Sequence, residues 1–229
     1  MSGELFLGLD VGTQGTKALL VDVEARAVVA RAASAYDLIP GLPPGAAEQH
    51  PDTWWNAVCV CVHALVQQVD LGRVRGVGVS GQQHGFVALD AAKNVIRPAK
   101  LWCDTSTAAE ARELTSSLGR SVPTGFTASK ILWLKRHEPA HFARLAHVLL
   151  PHDWINFRLS GELAMECGDA SGTGLFDPVT RRFDARACYA IDPDLEAKLP
   201  RLVAPSEPVG RLTPGAAREL GLPAGIPLA

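Results

Sequence analysis

No apolar run in this chain approaches the roughly 20 residues that a bilayer crossing needs. Its opening Met-Ser-Gly-Glu-Leu carries no basic stretch of the kind that precedes a secretory signal, and Asp10 interrupts the apolar run that follows. Excess charge of either sign is missing too: 22 basic side chains face 24 acidic ones, for a net charge of −2. No global basic field is available to gather nucleic acid or an anionic membrane surface, so neither is an expected partner. Cysteine is scarce and odd in number, five in 229 residues. That excludes a disulfide-stapled scaffold and points to a reduced, cytoplasmic protein. Internal repeats and low-complexity tracts are absent. What is present is a globular composition, 47% hydrophobic and 20% charged, which excludes disorder for the body of the chain. The length suits one large domain or two small ones.

The opening reads as a meander. Leu5-Phe6-Leu7-Gly8-Leu9, Ala18-Leu19-Leu20-Val21 and Val28-Val29-Ala30 are short apolar runs with connections too short for a parallel crossover, so they pair antiparallel. A Pro/Gly loop (Pro40 to Gly45) leads to a helix from Pro51, with Trp54, Val58, Cys61, Val62, Leu65, Val66 and Val69 at helical spacing. Val74 to Val79 reads as a buried strand, and Phe86 to Leu89 as another after the turn-prone Gly81 to Gly85. Beyond residue 104 the pattern is mostly helical, with one strand at His147 to Leu150. A meander followed by alternating helix and strand is an α/β pattern with a mixed sheet. Near the end, Pro200, Pro205, Pro208, Pro214, Pro223 and Pro227 frame a short helix capped by Thr213 and closed by Gly221. The chain then stops at Gly225-Ile226-Pro227-Leu228-Ala229, where a strand is expected to begin.

Asp10-Val11-Gly12-Thr13-Gln14-Gly15-Thr16-Lys17 is the first chemical candidate. Two strands joined by a tight Gly/Thr turn present N–H groups and hydroxyls to phosphate oxygens. An Asp at the strand end suits Mg²⁺ held through water, and a Lys offsets phosphate charge. The Walker A spacing is absent, and an ordinary Gly-rich hairpin remains the alternative. In Ser80-Gly81-Gln82-Gln83-His84-Gly85, flanking glycines allow close backbone approach to a ligand while Gln83 and His84 offer donors and acceptors for hydroxyl groups. Trp102 and Asp104 follow in Leu101-Trp102-Cys103-Asp104-Thr105, open to a second reading as a core Trp beside a capping Asp. In Gly168-Asp169-Ala170-Ser171-Gly172-Thr173-Gly174 a carboxylate stands among small residues, which leaves room for a substrate.

The first of these loops resembles the phosphate loop of the actin, Hsp70 and sugar kinase superfamily. Gly125-Phe126-Thr127-Ala128-Ser129-Lys130-Ile131-Leu132-Trp133-Leu134-Lys135-Arg136-His137 is similar to a signature of the carbohydrate kinases named for a Phe-Gly-Gly-Tyr motif. The Ser80–Gly85 hexapeptide resembles the sugar-contacting element of their xylulose-type members. The resemblance implies a ribonuclease H-like domain of the actin-like ATPase superfamily, with a mixed five-stranded sheet flanked by helices. Residues 1–208 would form the sugar-binding N-terminal domain, and 209–229 a linker and the truncated start of a nucleotide-binding domain. It implies ATP and Mg²⁺ as cofactors and a ketopentose as substrate, D-xylulose yielding D-xylulose 5-phosphate. Ribulose, gluconate or a deoxysugar are alternatives, as is a non-catalytic sugar-binding module; a homodimer is left open. By residue, it implies Asp169 as catalytic base, Gln83, His84, Trp102 and Asp104 as sugar contacts, Thr13, Gln14 and Lys17 along the phosphate path, and Asp10 near the metal.

One motif is a decoy. His137-Glu138-Pro139-Ala140-His141 matches the zinc-protease pattern His-Glu-x-x-His, but that site needs both imidazoles on one face of an unbroken helix. Pro139 lacks the N–H for its bond to residue 135 and its ring clashes there, at a cost of about 3 kcal/mol. It is expected to begin a new helix and separate the two histidines.

Overall fold

The computed structural model describes residues 3–229. The expected meander forms from Leu5–Val11 (β1), Gly15–Asp22 (β2) and Ala27–Ala35 (β3), paired antiparallel in sequence. Alternation decides the faces. Leu5, Leu7, Leu9 and Val11 are buried on one side of β1, while Phe6 and Asp10 stand on the other. Pro51–Val66 (α1) then crosses the buried face, with His50 as its cap accepting the Asp52 N–H at 3.3 Å. The crossover returns the chain as Val74–Gly81 (β4), parallel to β1. Parallel pairing needs a long connection of this kind.

Val87–Leu89 (β5) leaves the sheet. It pairs antiparallel with His147–Leu149 (β6), sixty residues on. Between them lie Ala108–Leu118 (α2), Thr127–His137 (α3) and Pro139–Phe142 (α4). Their apolar residues (Leu114, Ile131 and Leu134 among them) make a second core beside the sheet with Val148 of β6. Pro151–Ser160 (α5) brings the chain back onto the sheet. There Trp154 meets Trp54 of α1 edge to face at 6.1 Å, a geometry worth about 0.5–1.5 kcal/mol beyond the area buried. A single helical turn, Cys167–Ala170 (α6), carries Asp169.

Residues 209–229, expected as a linker and the opening of another domain, pack here as part of the same unit. Gly210–Arg211 (β7), Pro214–Leu220 (α7) and Pro227–Leu228 (β8) extend the main sheet and its core. β8 runs parallel beside β4, the Ala229 N–H donating to the Val77 carbonyl at 2.9 Å. Leu212, Leu220 and Leu228 join the core that faces α1 and α5. The mixed sheet therefore has six strands in the order β7-β8-β4-β1-β2-β3, one two-residue strand more than the five expected. The helix reading held: Thr213 accepts the Ala216 N–H at 3.3 Å, and Gly221 closes α7 at φ +69°. No helix of the described residues is long and apolar enough to cross a membrane.

Candidate active site

The carboxyl ends of β1 and β4 open at one edge of the sheet, beside the amino end of α5. Ligands of open α/β sheets bind at such an edge, because the turns leaving the strands point their backbone groups outward there. In the β1–β2 turn the Gly12 N–H bonds the Gly15 carbonyl at 3.0 Å. The turn walls a hollow of about 580 Å³ lined by Asp10, Thr13, Gln14, Lys17 and Trp102 among others. Asp10 pairs with Lys17 across the ladder and with Ser80 of β4, so a carboxylate, an ammonium and a hydroxyl share one small area. Oxygen donors of this kind suit Mg²⁺, and the exposed Lys17 suits a phosphate. Thr13 is less free than Gln14. Its hydroxyl accepts the Trp102 indole N–H at 2.9 Å and lies 3.3 Å from the Gln82 amide oxygen.

Trp102, half exposed at 52%, also borders a second hollow of about 270 Å³ with Gln83 and His84. His84 holds a left-handed backbone at φ +62°, uncommon outside glycine and a sign of a constrained site. Its ring is packed edge-on against Phe126 at 4.9 Å. On the other side is Gly172, where a Cβ would lie 2.3 Å from His84 Nε2; only glycine leaves the ring its place. Burial first, and the Lys130 charge second, hold the His84 pKa below its ordinary value. A neutral ring whose Nε2–H donates to Gln83 Oε1 at 3.2 Å leaves Nδ1 as an acceptor for a hydroxyl.

The 125–137 signature supports this arrangement from behind. Thr127 donates its hydroxyl to the His84 carbonyl at 3.2 Å. Lys130, fully buried, folds back onto the carbonyls of Gly125 and Phe126. Burial pushes its ammonium down to about 7, with Asp104 opposing that and Lys100 adding to it. The signature lysine thus straps the loop that holds Phe126 against His84.

Asp104 is placed apart from the other expected sugar contacts. It is 0% exposed and reaches neither hollow. Its carboxylate accepts the Ala47 N–H at 2.9 Å, the Ser106 N–H at 2.9 Å, the Ser106 hydroxyl at 2.6 Å and the Lys100 ammonium at 3.2 Å. An acceptor satisfied four times in the interior shapes the wall that carries Trp102. Asp169 is accessible but not free. One oxygen takes the Gln83 amide at 3.2 Å, and the other lies 2.9 Å from His152 Nδ1. The decoy separates as expected. α3 ends at His137, whose ring meets Glu110 at 3.1 Å, and α4 begins at Pro139 with His141 against Glu138 at 2.7 Å.

The FGGY family of carbohydrate kinases, N-terminal domain, matches residues 5–229. The chain belongs to that family. Among curated proteins, this FGGY chain is 35% identical over 235 residues to a xylulose kinase of Haemophilus influenzae, covering 95% of this chain and 48% of that protein. It is 39% identical over 226 residues to a xylulose kinase of Streptomyces coelicolor, covering 93% of this chain and 45% of that protein. Among solved structures, a xyloylose kinase from Brucella ovis superposes with a TM-score of 0.89 at 37% identity, covering 99% of this chain and 48% of that one. The chain therefore spans about half the length of the curated relatives it matches. The expected fold, that of actin-like ATPases with a mixed sheet flanked by helices, is the one these kinases share.

Within the FGGY fold, one edge of the sheet gathers Asp10, Thr13, Gln14, Lys17, Gln83, His84, Trp102 and Asp169. Asp104 alone of the expected residues is turned inward. Sequence reasoning missed Gly172, His152 and the support from Thr127. The signal for His152 was present: a His-Asp pair directly after Pro151, at the start of a helix that follows a strand, sits where α/β folds collect their polar groups.

Proposed function

We propose that the whole protein is an ATP-dependent kinase that phosphorylates the terminal hydroxyl of a ketopentose, with D-xylulose the first substrate. This chain would supply the sugar side and one phosphate loop, and the remaining length of the relatives the nucleotide side. The observation that carries the reading is Trp102. It borders both hollows and is tied to Thr13 of the phosphate loop, so a sugar against Gln83 and His84 would present its end toward the phosphate path.

Phosphoryl transfer leaves the protein little covalent chemistry: its task is positioning and charge stabilisation. Gln83 and His84 orient the sugar hydroxyls. Lys17 and the turn around Gln14 draw in the phosphate oxygens. Mg²⁺ near Asp10 would supply neutralising charge to the transferred group. Asp169 receives the hydrogen bond of the attacking hydroxyl and aims it. A loose transition state asks first for alignment, and the Asp169 carboxylate, held between Gln83 and His152, supplies it beside its expected role as base.

ADP release by the whole protein across ketopentoses and polyols tests the reading. D-xylulose should give the highest kcat/KM. ATP hydrolysis that does not depend on sugar would contradict it in favour of an ATPase of the actin or Hsp70 kind.

A further inference from the structure

His152 is the second residue of α5, and its ring is wedged against the end of β4. A Cβ on Gly81 would lie 3.1 Å from the His152 backbone, so the bare glycine is what permits the contact. Nε2 lies 3.1 Å from the Val79 carbonyl oxygen. That oxygen only accepts, so Nε2 carries a proton. As placed, the Asn156 amide nitrogen lies 3.3 Å from the same ring nitrogen while its oxygen is buried without a partner; turning the amide over presents that oxygen to the Nε2–H. Nδ1 lies 2.9 Å from Asp169 Oδ2 and 3.5 Å from Asp153 Oδ1. Neither contact is aligned as a hydrogen bond, but a bare Nδ1 lone pair facing two carboxylates would be repelled, so the position favours a proton on Nδ1 as well. A ring protonated at both nitrogens is a cation.

Its surroundings need one. Asp153, 1% exposed, accepts the Leu150 N–H with one oxygen at 2.9 Å, while the other has no hydrogen-bond partner. Glu166, just ahead of Asp169 in the chain, holds the Gly168 and Asp169 N–H groups at 2.7 and 3.2 Å. Glu166 and Glu207 line a further hollow of about 300 Å³ together with His152 and Asp169. Two carboxylates, Asp153 and Asp169, thus face one basic side chain.

We propose that His152 is a positioning residue for the sugar site: as a cation it fixes the Asp169 carboxylate, and through it the Gln83–His84 pair. A continuous line of contacts runs from the Val79 carbonyl through His152, Asp169 and Gln83 to His84. With His152 neutral or absent, Asp153 repels Asp169, and the Gln83 amide loses the partner that fixes which of its ends faces His84. Burial alone would discharge the ring, but Asp153 and Asp169 outweigh it and lift its pKa to about 10. The kinetic consequence rests on the sugar-kinase reading above; the charge on His152 does not.

Two measurements therefore test it. Imidazole NMR of this chain should find both His152 nitrogens protonated at pH 8. Asp169→Asn should lower the titration midpoint by about one unit or more. In the whole protein, His152→Gln should raise KM for the ketopentose about tenfold or more, with a smaller fall in kcat and no change in KM for Mg-ATP. His152→Lys, which restores the cation, should bring that KM back to within about threefold of wild type. A neutral ring at pH 8 would overturn the proposal. So would a folded Lys variant as impaired as Gln, or a stoichiometric divalent ion bound by His152, Asp153 and Asp169. Should the wild type phosphorylate no ketopentose, the functional reading fails and the NMR result alone decides the role of His152.

Discussion

Asp169→Asn in the whole protein should lower kcat/KM for the ketopentose by about 10²-fold or more, with the loss divided between KM and kcat. Asn keeps the shape but brings an N–H to one of two positions that now accept, from Gln83 at 3.2 Å and from His152 at 2.9 Å. The His152 charge is then left with Asp153 alone. Removing one partner from such a charged pair costs about 2–5 kcal/mol, which spans that loss at about 1.4 kcal/mol per tenfold. Steady-state kinetics with sugar varied at saturating Mg-ATP reads both parameters. A loss confined to kcat, with sugar affinity intact, would return Asp169 to the role of proton acceptor. Activity within tenfold of wild type would remove it from the site.

Asp104→Ala should cost stability instead, by about 3–5 kcal/mol. The substitution orphans the Ala47 N–H and takes from Lys100, 2% exposed, one of its two carboxylate partners. Glu48, the other, is shared with Arg97 at 2.7 Å. Against a total stability of about 5–15 kcal/mol, the urea midpoint of this chain should fall steeply. Ketopentose affinity of whatever remains folded should be little changed. A stable variant that had lost the sugar would restore Asp104 as a contact.

Much of the fold could be read locally. The alternation of Leu5, Leu7 and Leu9, the short turns of the meander, and Pro51 at a helix start each report on neighbours a few residues away, and each is observed. The pairing of β5 with β6 could not, because it joins segments sixty residues apart whose apolar runs suit any sheet. The sheet pairing of the proline-rich end was not legible for a related reason. Pro214 and Gly221 mark the bounds of α7 correctly, but nothing in them says which sheet the following strand joins. At the site, Gln83, His84 and Trp102 were legible as polar or aromatic side chains in glycine-rich or turn-rich loops. Asp104 was misplaced because exposure is set by distant chain, here Ala47 and Lys100. His152 went unread for the same reason: besides the adjacent Asp153 it faces Asp169, which the sequence places seventeen residues on and the fold brings to 2.9 Å.

The most direct test is what this chain binds. It has the length to bury about 70% of its unfolded surface and fold alone, so calorimetric titration of the 229-residue chain with D-xylulose and, separately, with Mg-ATP is direct. Sugar should bind weakly but saturably through Gln83, His84 and Asp169, and nucleotide should not bind tightly, since one phosphate loop offers few N–H groups and domain closure is what would exclude water. Micromolar affinity for Mg-ATP, or sugar phosphorylation by this chain alone, would contradict it.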